Sequence, residues 1–312
     1  MSSARPTGNR DRSRRAAGWA IRILRDPAAL FGILVLLLLV AAALFASTIA
    51  PLDPNKQDLG ARLLPPFYAE GGSSEHVLGT DQLGRDVFSR IIHGTRISLT
   101  IPLVSVTLAG IFGTAVGLLS GYSGGRADTV IMRIVDTLFS FPGLLLALTI
   151  LAVVGPSFWT LAIVLSLRIW MVFARLTRGL VLSAREAEYV EAAELVGASP
   201  TRIMMRHIAP NLTAPLLTLA VLESAHVILS EAALSFLGLG IQPPQTSWGL
   251  DVAIGRQYVF SAPWLIIFPG IAIAVAVLGI NLLASWLRVA ADPEESAKRF
   301  AAAADAPTGW SE

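Results

Sequence analysis

The sequence predicts an all-α integral membrane protein with six transmembrane helices. Composition is the first reason: 54% of the 312 residues are hydrophobic and only 15% are charged, whereas soluble domains carry roughly 25% charged residues. The second reason is that six apolar segments approach the ~20 residues that cross about 30 Å of hydrocarbon. They comprise residues 29–49, 97–119, 137–154, 159–172 with its flanks, 214–239 and 264–287.

The first predicted span, within residues 28–50, follows a basic arm at residues 1–27. Four arginines of the arm lie close together, as at the start of a signal peptide: Arg10, Arg12, Arg14 and Arg15. The apolar run of about 20 residues that follows is longer than the usual 7 to 15 of a signal core. We therefore interpret residues 28–50 as a retained transmembrane helix.

The basic residues predict the orientation of the spans. With the N-terminus inside, the inside segments contain 17 Lys and Arg residues and the outside segments contain 6, while Arg168 lies within a span. Because basic residues concentrate on the cytoplasmic side, this distribution predicts that the N-terminus and the tail, residues 288–312, are both cytoplasmic. Residues 51–96 then form an extracytoplasmic loop, and residues 177–212 a cytoplasmic one.

The extracytoplasmic loop ends in the segment GRDVFSRIIHG. Its apolar residues Val87, Phe88, Ile91 and Ile92 share one side of a helix at this spacing. Two interpretations remain open. The segment is either a short amphipathic helix on the membrane surface or a helix that only orients the next span.

Small residues and one proline predict two packing features of the five-helix core, residues 97–287. Gly113 and Gly117 are four residues apart and form a ridge that another helix can approach closely. Pro142 is expected to kink the third span, because proline lacks the N–H that continues a helix.

The cytoplasmic loop predicts a helix, a tight turn and a second helix. Residues 185–196 are rich in Ala, Glu and Leu, which favour helix, and Gly197 follows where a left-handed closing residue is preferred. Ser199 is expected to cap the second helix, with Pro200 in its first turn. Pro210 is expected to end that helix.

The first helix of this loop carries residues suited to contact with another protein. Ala192 and Ala193 are small enough to permit close approach, and Glu191 and Glu194 can meet basic groups. On geometry alone, a docking surface and a solvated loop between two spans both remain open.

Four ionisable residues fall within predicted spans: Glu223, His226 and Glu231 in the fifth and Arg168 in the fourth. Such residues are costly in hydrocarbon and usually face the bundle interior, a water-filled pathway or a partner. Glu223 and His226 are three residues apart and can pair, and Arg168 can neutralise one of the acids. Structural pairing and direct contact with a transported solute both remain open.

The sequence argues against several other functions. It contains no cysteine, and its four histidines lack metal-ligand spacing. The segment GTDQLGR has the glycine spacing of a phosphate loop, but Arg85 and Asp86 replace the required Lys and Ser or Thr. The two lysines, Lys56 and Lys298, do not follow a glycine. Arginines beside spans are explained by orientation, so we expect no nucleotide, metal or nucleic acid to bind this chain.

Besides EAAELVG, which is followed by Pro210, the chain contains five separated motifs: DPNKQDL, LGTDQLGRDVFSR, DTLFSFPGLLLAL, EAALSFLGLGIQPPQTSWG and APWLIIFPGIAI. The segment EAAELVG is similar to the EAA loop of permease subunits of ATP-driven importers. The five motifs, in the order found in the family, resemble the C-type permease subunits of dipeptide and oligopeptide importers. Arg168 departs from the pattern, because small or neutral residues are usual there.

The resemblance implies a type I ATP-binding-cassette importer permease fold in a bacterial inner membrane. In that family the EAA loop is the coupling helix that docks on an ATPase, which implies this role for Glu191, Ala192, Ala193, Glu194, Gly197 and Pro210. It also implies a homologous B-type permease partner, two cytoplasmic ATPases that bind ATP and Mg, an extracytoplasmic solute-binding protein and surrounding lipid. The chain itself is then expected to carry no cofactor and to catalyse no bond chemistry.

Two alternatives to peptide transport remain at this point. Permeases for nickel, glutathione or other small solutes share this type of subunit. A different class, the proton-coupled secondary transporter, would use Glu223, His226 and Glu231 as a proton relay.

Overall fold

The structure is a computed structural model that describes residues 26–291, so most of the predicted basic arm and most of the predicted tail lie outside the described part. The described part is helical apart from its loops and one isolated bridge between Thr80 and Asp86. Five of its helical segments are long and apolar enough to cross a membrane. They are α1 (Pro27–Leu44), α3 (Val87–Ser123), α6 (Phe158–Arg185), Pro200–Phe236 with its main helix α9 (Thr213–Phe236), and α11 (Trp264–Ala291).

A bent pair of helices is the candidate for the sixth span. Helix α4 (Gly125–Phe139) and helix α5 (Gly143–Val154) meet at 77°, and together they are apolar enough to cross the membrane. Pro142 lies in an extended conformation just before α5, where its missing N–H leaves no helical hydrogen bond unmade. The predicted kink at Pro142 is confirmed. The helix pair begins earlier than the predicted residue 137, because α4 is amphipathic and its charged residues lower its mean hydropathy.

Shorter helices lie at the two ends of the bundle. They are α2 (Ala46–Ile49), α7 (Glu188–Leu195), α8 (Pro200–Ile203), α10 (Trp248–Gly255) and the 3-10 turns Leu59–Ala61 and Arg256–Tyr258. Following the predicted orientation, the end that holds α7 is called the cytoplasmic end. The end that holds residues 51–86 is called the extracytoplasmic end.

The first span begins at a complete helix cap. The Asp26 carboxylate accepts hydrogen bonds from the backbone N–H groups of Ala28 and Ala29, at 3.0 and 3.3 Å, and Pro27 occupies the first turn. Both features stabilise a helix start. The span then continues through α1 into α2, and Arg96 of α3 donates to the carbonyl of Ala43 near the junction.

The main core lies where α3, α6 and α9 meet. Its buried residues include Ile101, Leu161, Ile169, Phe173, Val227 and Leu234. The predicted glycine ridge on α3 packs against α6. A Cβ atom at Gly113 would lie 2.2 Å from the Trp170 carbonyl oxygen, and one at Gly117 would lie 2.5 Å from that of Ala174. The predicted close helix packing at this ridge is therefore confirmed.

Of the two interpretations of the segment GRDVFSRIIHG, the structure supports a helix that orients the next span. Residues from Val87 onward form the first turns of α3, which runs without a break into the second span. Val87 is buried against Ala262 and against Leu265 of α11. The Val87 side chain therefore packs on protein and not on lipid headgroups. At 37 residues, α3 is about 55 Å long and extends beyond a hydrocarbon layer of about 30 Å.

Candidate functional site: a cytoplasmic docking helix and a cavity in the bundle

The turn after α7 has the geometry of a helix end closed by glycine. Gly197 has a φ of +80°. Its N–H donates to the Glu194 carbonyl at 2.9 Å, and the N–H of Ala198 donates to the Ala193 carbonyl at 3.0 Å. These two bonds define a Schellman motif, which favours glycine at the left-handed position. The predicted left-handed Gly197 is confirmed.

Three details of the predicted loop are corrected. Arg185 belongs to α6, and α7 begins only at Glu188 after a short break, because the 28 residues of α6 exceed the ~20 needed to cross the hydrocarbon. Ser199 occupies the cap position before α8, but its side chain makes no capping hydrogen bond. Pro210 does not end the helical segment, because it is the second residue of the 3-10 turn Ala209–Leu212, where its missing N–H leaves no helical hydrogen bond unmade.

A short π-helical segment lies between α8 and α9. The chain passes from α8 through Met204–Ile208, which is π-helical, and the 3-10 turn Ala209–Leu212 into α9. Such wide turns are rare and occur frequently at functional sites. Helical turns therefore connect α8, which follows α7, to the first residue of α9.

A small apolar cluster fixes α7 to the bundle. Val190 is buried together with Val181 of α6 and with Ile203, Ile208 and Leu212 below α9. Sequence reasoning missed this cluster, although the apolar positions on either side of the turn were a visible signal. Val190 therefore joins α7 both to α6 and to the segment that leads into α9.

The opposite side of α7 is open. Glu191, Ala192 and Glu194 are exposed, and Leu195 and Val196 are 83% and 88% exposed at the tip of the turn. Of the two alanines predicted to permit close approach, only Ala192 is exposed, since Ala193 packs against the apolar cluster. Exposed apolar residues beside charged ones are typical of a protein-binding surface, which favours the docking interpretation over a solvated loop.

A cavity of about 320 Å³ lies between α5, α6 and α9. Arg168, Glu223 and His226 line it. The predicted pair is present, with 3.6 Å between Glu223 Oε2 and His226 Nδ1; the Glu223 side chain is 9% exposed and that of His226 is 57% exposed. Among the residues that the structure describes, Arg168 forms no ion pair with either acid, so the predicted neutralisation is not observed.

Glu231 lies apart from this cavity. It is buried and accepts hydrogen bonds from Ser235 and Ser247, at 2.7 and 2.9 Å. Because Ser247 precedes α10, these bonds tie α9 to the extracytoplasmic end. In the alternative function, a proton would pass from Glu223 and His226 to Glu231. The hydrogen bonds from Ser235 and Ser247 give Glu231 a structural role instead.

Buried ion pairs at the extracytoplasmic end were also missed by sequence reasoning. Arg90 pairs with Asp251, 161 residues further along the chain, and Arg85 pairs with Asp81 at 2.6 Å. Burial raises the pKa of the Asp251 carboxyl, and the Arg90 guanidinium opposes that shift. The pairs hold the loop, the start of α3 and α10 together.

Comparisons with known proteins agree with this architecture. Residues 113–296, more than half of the chain, match the family model described as binding-protein-dependent transport system inner membrane component. Residues 17–66 match the N-terminal transmembrane domain of oligopeptide transport permease C. The inward-facing MetNI methionine ABC transporter shares the fold, with a TM-score of 0.55 at 18% identity, over 66% of this chain and 97% of that chain.

Two curated relatives are similar over most of the chain. The di/tripeptide transport system permease protein DppC of Pseudomonas aeruginosa is 44% identical over 266 residues, which cover 85% of this chain and 88% of the relative. The glutathione transport system permease protein GsiD of Pectobacterium atrosepticum is 41% identical, covering 88% and 89%. The chain therefore belongs to the family of binding-protein-dependent transport system inner membrane components, and within it to the C-type permeases of dipeptide and oligopeptide importers.

Proposed function

We propose that this chain is the C-type permease subunit of an ATP-driven importer and forms part of the pathway for dipeptides and oligopeptides across the bacterial inner membrane. The family membership supports an importer subunit, and the name of the Pseudomonas relative supports di- and tripeptides. Glutathione is the second candidate solute, favoured by the Pectobacterium relative.

The observation that carries the proposal is the two-sided character of α7. One side chain, Val190, is buried between the spans, while Leu195 and Val196 are exposed at the tip. A helix fixed on one side and open on the other is suited to transmit a partner's motion to the bundle. We assign that partner as a cytoplasmic ATPase contacted by Glu191, Ala192, Glu194 and the turn at Gly197, with Ala193 and Pro210 supporting the segment from behind.

Energy and solute would both come from other subunits. Two ATPases would bind ATP and Mg, a homologous B-type permease would complete the pathway, and an extracytoplasmic binding protein would deliver the peptide. This chain would contribute no bond chemistry. Its mechanism would be alternating access, in which ATP binding selects the side to which the pathway opens.

The proposal is tested by reconstituting the complete transporter in proteoliposomes with its binding protein. We expect uptake of radiolabelled L-alanyl-L-alanine that requires ATP on the ATPase side and is unaffected by a protonophore. Adding excess unlabelled glutathione tests the second candidate solute. It would abolish uptake of the labelled dipeptide only if glutathione and the dipeptide are carried by the same transporter. Uptake that survives ATP depletion and collapses with the proton gradient would establish a secondary transporter instead.

A further inference from the structure

We propose that the cavity between α5, α6 and α9 is a solute site that recognises both ends of a small zwitterion. In this site Arg168 and the start of α5 bind a carboxylate, and Glu223 binds an ammonium group. The inference rests on the proposed function, because a dipeptide with free ends is such a zwitterion.

The first support is depth in the membrane. Arg168 lies ten residues after the start of α6, and Glu223 lies ten residues after the start of α9. At 1.5 Å per residue, each is about 15 Å from one end of its helix, which is about half of a 30 Å hydrocarbon layer. Charged side chains at this depth face protein or water and not lipid chains. The cavity is therefore on a protein-covered or water-filled side of the bundle.

The second support is the positive end of the cavity. The Arg168 stem lies against Gly143, where a Cβ atom would be only 2.6 Å from Arg168 Cδ. Gly143 is the first residue of α5, and no side chain caps that helix. The N–H groups of an uncapped first turn carry partial positive charge and bind anions. The 77° bend thus brings a guanidinium and an open helix start to one wall of the cavity.

The third support is the negative end. Glu223 is largely buried, and its carboxylate lies 3.6 Å from His226 Nδ1. Ser230, one turn further along α9, also lines the cavity, and its hydroxyl donates to the His226 carbonyl. An ammonium group that enters from the open side would meet the Glu223 carboxylate, which lines the same cavity as Arg168. The two walls therefore carry opposite charge.

The size of the cavity limits the solute. About 320 Å³ is at the lower end of small-molecule sites, which span roughly 300–1,000 Å³. Two residues at about 3.3–3.6 Å each separate the terminal charges of a dipeptide by roughly 7 Å. Apolar residues such as Ala147, Val164 and Leu234 form the rest of the lining and can accept varied side chains. The site fits a dipeptide better than a long peptide.

The test compares charge-neutral variants in proteoliposomes that contain the complete transporter, with radiolabelled L-alanyl-L-alanine as the probe. We expect Arg168→Gln and Glu223→Gln each to lower uptake about tenfold or more, as one lost charge-assisted hydrogen bond would. Stimulation of ATP hydrolysis by loaded binding protein should stay within about twofold of wild type, because α7 is unchanged. Arg168→Lys should recover much of the uptake, since it restores the positive charge.

The matched control is Arg126→Gln, which neutralises an exposed arginine at the cytoplasmic end and should transport normally. Wild-type uptake by both cavity variants would overturn the site alone. If the purified Arg168→Gln or Glu223→Gln complex lacks the B-type permease, the residue belongs to a permease–permease contact and the solute site is overturned. If uptake and ATPase stimulation fall in parallel, the residue has a general structural role and the solute site is likewise overturned. Absence of ATP-dependent uptake by the wild type would instead refute the proposed function and, with it, this site.

Discussion

Asp251→Ala is expected to destabilise the folded chain by about 3–5 kcal/mol, as when one partner of a buried ion pair is removed. Arg90 donates to Asp251 through both Nε and Nη2, and its side chain would keep a buried charge without that partner. Asp81 is 3.9 Å from Arg90 but already pairs with Arg85, so it compensates only in part. The heating midpoint of the purified transporter should fall by on the order of 10 °C, measured by the fraction that stays monodisperse after heating.

The control for this prediction is Asp136→Ala. Asp136 pairs with Arg175 at 2.7 Å, and both side chains are exposed. Exposed pairs contribute only about 0–1 kcal/mol, so the midpoint should change by a few degrees at most. Equal losses in the two variants would contradict the claim that burial makes the Arg90–Asp251 pair important.

Gly197→Val is expected to abolish uptake while leaving the membrane level of the subunit normal. A left-handed conformation costs a residue with a side chain about 1–2 kcal/mol, and more for a β-branched one. A Cβ atom at this position would have no neighbour within 4 Å, so the cost arises from the backbone alone. The turn after α7 should distort, and copurification of the ATPases should weaken together with uptake.

The matched control at this position is Gly197→Asn, because asparagine adopts the left-handed conformation far more readily than valine. We expect the asparagine variant to retain most of the ATPase binding and most of the uptake. A valine variant that binds the ATPases and transports as well as the asparagine variant would show that the Schellman turn is not needed for coupling.

Features set by neighbouring residues could be predicted from the sequence. The left-handed Gly197 follows from the end of a helix with a glycine after it, and the kink at Pro142 follows from a missing N–H. The Glu223–His226 pair follows from helical spacing. Each depends on a few consecutive residues, so local rules were sufficient.

Features that depend on distant residues could not be predicted in this way. Helix α4 contains Asp128, whose carboxylate receives two hydrogen bonds from Arg178 of α6 at 2.6 Å each. The charged residues of this amphipathic helix lower its mean hydropathy, so a hydropathy scan treats it as a loop, although its ion pair with α6 makes it part of the bundle. The Arg90–Asp251 pair joins residues 161 positions apart, and no spacing rule connects them. The cavity depends likewise on the 77° bend and on three helices.

The most direct test of the account is whether the tip of α7 touches an ATPase. The chain contains no cysteine, so Val196→Cys provides the one thiol of this subunit for a photoactivatable cross-linker, attached before the subunit is assembled with cysteine-free partner subunits. Ser74→Cys, in the predicted extracytoplasmic loop, is the control and should label from outside with an impermeant thiol reagent. The account predicts that residue 196 cross-links to an ATPase subunit and that residue 74 does not. Labelling of residue 196 from outside, with no cross-link to an ATPase, would contradict both the orientation and the coupling role of α7.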